Sequence, residues 1–125
     1  MLVTNLINKE KFHDLLVEKF PYLKKEIDDN AVKYLTSIEL AYLRVHLEKA
    51  AIDKDNNEIK RIINFMDYLI TNESKLHPEV NNAIYVPLYY DLFLGDKDIY
   101  NFLTTYFTKN MINIFNKIEQ EYKQY

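Results

Sequence analysis

The stretch Asp55-Asn56-Asn57-Glu58-Ile59-Lys60-Arg61-Ile62-Ile63-Asn64-Phe65-Met66-Asp67-Tyr68-Leu69-Ile70 decides the fold class. Its residues Ile59, Ile62, Ile63, Met66, Leu69 and Ile70 recur at intervals of three and four. That period lines one face of an α-helix and does not fit the alternation of a strand. The acidic opening from Asp55 to Glu58 suits a helix N-terminus, where a side-chain oxygen accepts from orphan N–H groups and a carboxylate meets the positive end of the macrodipole. A main helix with one face in a core is therefore expected here.

The same period continues toward the N-terminus. Thr36-Ser37-Ile38-Glu39 matches the capping box, in which hydroxyl and carboxylate satisfy backbone donors reciprocally, ahead of Leu40, Leu43 and Leu47. Before it, Asn8 can cap a helix carrying Phe12, Leu15, Leu16 and Phe20, which Pro21 ends. Pro21 itself suits the first position of a further short turn, Tyr22 to Ile27.

Toward the C-terminus, His77-Pro78-Glu79 opens a fourth helix with Val80, Ala83 and Ile84 on one face and Gly95 as a left-handed terminator. Pro87 interrupts it: without an N–H it cannot bond the Ala83 carbonyl, so the segment must kink or split. Asp96 caps the next helix, with Ile99, Phe102, Leu103, Tyr106 and Phe107 at helical spacing. A last helix after Thr108 carries Met111, Phe115, Ile118 and Tyr122. The sum is an all-α, single-domain bundle of five or six short helices spanning residues 1–125. Val32 to Ile38 and Ala83-Ile84-Tyr85-Val86 hold strand-favouring residues, which keeps an α+β fold with a small sheet as the alternative.

Composition narrows the function. The chain has 125 residues with 16 Lys+Arg against 19 Asp+Glu, a mildly acidic balance that argues against direct nucleic-acid binding, which wants a basic face. One glycine, Gly95, is too few for phosphate-cradling loops, dinucleotide fingerprints or nucleophile elbows. The absence of cysteine excludes disulfides and thiolate metal sites and fits a reducing cytosol. No basic flank precedes an apolar run at the N-terminus, and no stretch approaches the ~18 apolar residues of a membrane span. A cytoplasmic protein without a membrane anchor is expected.

Residues for general acid–base chemistry are few. His13, His46 and His77 fall in three different elements, and none forms the His-x-x-x-His spacing of a zinc site, so no metal and no cofactor are expected. His13 with Asp14 and Glu18 reads as a solvated stretch. His46 with Glu39 or Asp53 is the one pairing that supports a small-enzyme alternative. The carboxylate pairs Asp28-Asp29, Asp53 with Asp55, and Asp96 with Asp98 read as helix caps.

Charge and aromatics share a bias. Beyond Ile62 lie 5 basic and 8 acidic residues, so that half carries the whole net charge of -3. It also holds eight of the 11 tyrosines and five of the seven phenylalanines. Within it, Tyr85, Tyr89, Tyr90, Asp91, Asp96, Asp98 and Tyr100 form the one constellation that suggests recognition. On a regular helix Tyr85 and Tyr89 share a face while Tyr90 and Asp91 point elsewhere, so some of these rings must be exposed. Exposed tyrosines supply rigid apolar area and neighbouring acids steer basic partners.

Tyr89-Tyr90-Asp91 followed by Asp96 and Asp98 resembles the recognition segment of colicin-type nuclease immunity proteins, in which a tyrosine pair flanked by acids docks on a basic nuclease. This chain is longer, and Pro87 comes before the tyrosines instead of after them. Glu18-Lys19-Phe20-Pro21-Tyr22-Leu23-Lys24 with Glu79-Val80-Asn81-Asn82 is similar to small helical bacterial proteins, among them immunity proteins of contact-dependent or polymorphic toxin systems. The resemblance implies a non-enzymatic immunity or antitoxin-type protein. Its partner would be a cognate protein toxin, a basic nuclease, bound through Tyr85, Tyr89, Tyr90, Asp91, Asp96, Asp98 and Tyr100. The alternative from another class is a homo-oligomeric adaptor or scaffold, down to a homodimer, in which the same aromatics face a second copy.

Overall fold

Five helices of eight residues or more carry the fold in the computed structural model, which describes residues 5–123. They are α1 (Lys9–Lys19), α3 (Thr36–Ile52), α4 (Asn56–Thr71), α7 (Lys97–Thr104) and α8 (Lys109–Lys123). Short helices α2 (Lys24–Ile27), α5 (Pro78–Asn81) and α6 (Asp91–Leu94) join them, with 3-10 turns at Pro21–Leu23 and Glu73–Lys75 and a π-helical segment at Tyr85–Tyr90. The molecule is an all-α bundle.

The caps read from the sequence hold at three starts. Asn8 Oδ1 accepts from Lys11 N–H at 2.9 Å, Asp55 Oδ1 from Glu58 N–H at 3.2 Å, and Asp96 Oδ1 from the N–H groups of Asp98 at 2.8 Å and Ile99 at 3.1 Å. The capping box at Thr36 does not form. Thr36 is already the first helical residue, the capping position is Leu35, and no side chain caps α3. Glu39 faces the core instead, because a histidine waits there for its carboxylate. Gly95 is not left-handed either: its φ is -75°, and a Cβ there would come within 3.3 Å of Glu48 Oε2, so closeness to α3 is the constraint. Tyr106 and Phe107 fall past the end of α7 but still pack against the core.

The strand alternative is overturned. Val32 lies in a turn after α2 and Ile38 in the first turn of α3, while Ala83 to Val86 run into the π segment. The only β contact among the described residues is an isolated parallel bridge between Ile7 and Leu76.

A single connected core fills the bundle. Phe12, Leu16 and Phe20 of the first segment, Leu40, Leu43 and Leu47 of α3, and Ile59, Ile62, Ile63 and Met66 of α4 are all buried. Burying each such side chain contributes about 1.5–3 kcal/mol before conformational entropy is charged. Helix α3 is the central strut, packing on α1, α2, α4, α7 and the π segment. Its outer side carries a row of apolar residues, Ile38, Val45 and Ile52, seven residues apart and 40%, 50% and 65% exposed, with the exposed Lys49 among them.

Candidate interaction surface

Pro87 shapes the surface that the sequence singled out. An α-helix through this segment would need an N–H at residue 87 for the Ala83 carbonyl, and proline has none. The chain winds wider instead: Leu88 N–H still reaches the Ile84 carbonyl at 3.2 Å, and Asp91 N–H bonds Val86 O, five residues back. A five-residue repeat sets Tyr85 beside Tyr90 and Val86 beside Asp91. The rings of Tyr85 and Tyr90 accordingly stack with centroids 6.3 Å apart and planes at 29°. Pro87, Leu88 and Tyr89 turn inward onto the core.

Two clefts border the resulting strip Tyr85-Val86-Tyr90-Asp91. One, on the Tyr85 side, is lined by Leu69, Ile70, Glu73, Asn81, Ile84 and Ile114. Tyr85 is 39% exposed and its hydroxyl donates to Glu121 Oε2 at 3.4 Å. Partial burial first, then Glu121 and Tyr90, push its phenol above the ordinary value. The other is a groove of about 530 Å³ between α3 and the π segment, with Ile38, Ala41, Ala83, Val86 and Pro87 as its apolar walls and Glu79 and Asp91 among its polar ones. Among the described residues no lysine, arginine or histidine lines either cleft.

The seven predicted contact residues divide. Tyr85, Tyr90 and Asp91 come together on the strip. Tyr89 does not: it is 4% exposed, packs edge-on against Phe115 at 5.9 Å and donates its hydroxyl to Met66 O at 3.4 Å. Burial pushes its phenol well above the usual range. The assumption of a regular helix, which paired Tyr85 with Tyr89, fails because the π turn shifts the partner by one residue. Tyr100 is half-buried in an aromatic cluster with Phe93 and Phe115, each at 5.4 Å, and Phe107 at 5.9 Å. Burial, then Glu119, raises its phenol. Asp96 and Asp98 are exposed at the start of α7, where Asp96 is occupied as the cap and Lys97 lies between them, its ammonium 3.9 Å above the Phe93 ring.

Sequence reasoning missed a buried polar cluster. His13, expected on a solvated stretch, is 2% exposed. Its Nδ1 contacts Glu39 Oε2, and its Nε2 contacts Asp28 Oδ1 at 2.6 Å. The Tyr34 ring meets it edge-on at 5.3 Å and Tyr34 N–H donates to Glu39 Oε2 at 3.3 Å. Glu39 Oε1 is buried with no hydrogen-bond partner. Burial pushes the Glu39 carboxyl above the ordinary carboxylate range, with the His13 bond opposing. The Lys24 ammonium, at 3.0 Å, and then His13 hold Asp28 below it. The signal was periodicity: His13, Leu16 and Phe20 share a helical face, as do Glu39 and Leu43.

With both ring nitrogens engaged, His13 ties α1 to α3 and to the residue that ends α2. Of the two pairings open to His46, Glu39 is held by His13, and Asp53 shares a cleft with His46, whose Nε2 contacts Glu26 Oε1 at 2.7 Å. His77 caps α5, its Nδ1 accepting from Glu79 N–H at 3.1 Å. Among the described residues no group of His, Asp or Glu is arranged to hold a metal ion, and no helix is long and apolar enough to cross a membrane.

No curated protein and no solved structure matches the chain. One family model does, over residues 13–123, which takes in every helix from α3 through α8 and most of α1. The chain belongs to the family described as Domain of unknown function (DUF7674).

Proposed function

We propose that this protein is a non-enzymatic binder that captures and neutralises a basic protein partner, in the manner of a toxin-immunity protein acting in the cytoplasm of a bacterium. The observation that carries the reading is the strip Tyr85-Val86-Tyr90-Asp91, partly exposed and bordered by Glu73 and Glu121 on one side and Glu79 on the other, with no cationic side chain lining either cleft among the described residues. Two stacked phenols and a valine offer rigid apolar area that loses little side-chain entropy on binding, and the acids raise the encounter rate with a positively charged surface. Asp96 and Asp98 add to the field, while Tyr89, buried against Phe115, and Tyr100, half-buried in its aromatic cluster, are left out of the contact. The test is to purify the chain with the product of the adjacent gene and to challenge cells expressing that product. A stable complex and protection of the cells support the reading; neither complex nor protection removes it.

A second reading has its own observation. The row Ile38, Val45 and Ile52 on the outer face of α3 suits packing against a copy of itself, as a homodimeric adaptor would require. Sedimentation across a concentration series separates the two: a monomer at high concentration leaves the foreign partner, and a dimer lost on Val45→Glu favours the copy.

A further inference from the structure

The groove between α3 and the π segment is the larger of the two clefts that border the strip. Its floor is Ala41, Ala83 and Pro87, and Ile38 and Val86, 40% and 55% exposed, flank the opening. At about 530 Å³ it is large enough for one or two aliphatic side chains of a partner. Its charge is one-sided. Among the described residues no ammonium, guanidinium or imidazole lies within 4 Å of the Asp91 carboxylate, while Glu79 Oε1 lies 3.8 Å from His77 Nδ1 and accepts from Lys9 N–H at 3.4 Å. A second copy seated here would bring its own Glu79 and Asp91 toward this acidic rim, whereas a lysine- or arginine-bearing segment would compensate them.

We infer that the groove lined by Ile38, Val86, Glu79 and Asp91 is a docking site for an amphipathic segment of a basic protein, one that inserts an apolar side chain between Ile38 and Val86 and places basic side chains over the two carboxylates. The inference rests on the reading that a basic protein partner binds this side of the molecule, and it adds how that partner is held. The Tyr85 and Tyr90 rings lie outside the groove, so they and the groove make separable contributions. The wide turn at Pro87 links the two, because it is what sets Val86 beside Asp91 on the groove wall.

The experiment uses the whole chain, uniformly labelled with nitrogen-15, and three synthetic peptides: a short helical peptide of leucines and lysines, the same peptide with glutamate for lysine, and one with serine for leucine. Amide shifts and fluorescence anisotropy are followed on titration. The leucine–lysine peptide is expected to bind saturably with shifts centred on Ile38, Ala41, Ala83 and Val86, and neither control peptide should do so. Asp91→Lys combined with Glu79→Lys should weaken binding about tenfold or more, and Ile38→Arg should abolish it while the circular dichroism spectrum and thermal midpoint stay near those of the parent. The inference is overturned if the shifts centre elsewhere, if the serine–lysine or leucine–glutamate peptide binds as well, if the charge-reversed chain binds equally, or if the groove is occupied by a second copy in a dimer that Ile38→Arg dissociates. A protein partner that binds through Tyr85 and Tyr90 but ignores Ile38→Arg would sink the groove and leave the proposed function standing.

Discussion

Tyr85 and Tyr90 stack at 6.3 Å because five residues, not four, separate ring partners in the turn around Pro87. The pair therefore depends on an imino acid two residues after the first ring and three before the second. Pro87→Ala restores an N–H that can bond the Ala83 carbonyl and removes the reason for the wide turn. The expected outcome is relaxation toward a regular helix, read as loss of nuclear Overhauser contacts between the Tyr85 and Tyr90 rings. Persistence of those contacts in the variant would show that packing by Leu88 and Tyr89, not the proline, holds the π turn.

Tyr89 and Tyr85 should respond oppositely to truncation. Tyr89→Ala opens a cavity beside Phe115 and is expected to cost about 3–5 kcal/mol in urea unfolding, while Tyr89→Phe loses only the bond to Met66 O and costs about 1 kcal/mol. Tyr85→Ala should cost under about 1 kcal/mol, since the ring is partly exposed. Equal costs for the two alanine variants would contradict the inward and outward division of the segment.

The buried cluster gives a pH signature. His13→Ala leaves Glu39 without its main partner in a buried site, a loss of about 3–5 kcal/mol near neutral pH. Burial then acts on the Glu39 carboxyl with only the Tyr34 N–H bond opposing it, so its neutral form is favoured further. A raised folded value means that the contribution of the group is present at acid pH and fades as pH rises through that value. The stability deficit of His13→Ala should therefore shrink as pH falls through the raised Glu39 range. A deficit constant between pH 7 and pH 4 would contradict the assignment.

Asp28 has the opposite sign. Its carboxyl is held below the ordinary value of 3.8 by Lys24 and His13, so it contributes stability that is present above that value and lost as pH falls through the lowered one. Asp28→Asn should lower the urea midpoint at pH 7 and converge with the parent in strong acid.

Asp96→Ala separates capping from recognition. Loss of the two bonds to Asp98 and Ile99 N–H should cost about 1 kcal/mol of stability. Because Asp96 Oδ1 is taken up by the two N–H groups it caps and Asp96 lines neither cleft beside the strip, the variant should keep partner affinity within a few-fold and alter chiefly the salt dependence of association.

Helix identities and most caps were legible because local periodicity and local hydrogen bonding decide them, as at Asn8, Asp55 and Asp96. What escaped was decided by tertiary partners. Glu39 at the fourth position of a capping-box tetrad reads as a cap until His13 is known to face it across the bundle. Tyr89 reads as the ring partner of Tyr85 until Pro87 is seen to widen the turn instead of splitting the helix. Asp96 and Asp98 stand beyond Gly95 at the start of α7, where Asp96 is taken up as the cap, a role that closeness to Tyr90 in sequence does not show. The coincidence of acid and tyrosine in the second half was readable from composition; that Tyr85 stacks on Tyr90 while Tyr89 is buried was not.

The most direct measurement of the central claim is the affinity of the chain for the product of the adjacent gene, compared with the Tyr85→Ala, Tyr90→Ala double variant. The account predicts a complex that the double variant weakens by at least about a hundredfold, in keeping with two aromatic anchors of about 2 kcal/mol each, without loss of folding. Undiminished binding by the double variant, or no complex at all, would contradict it.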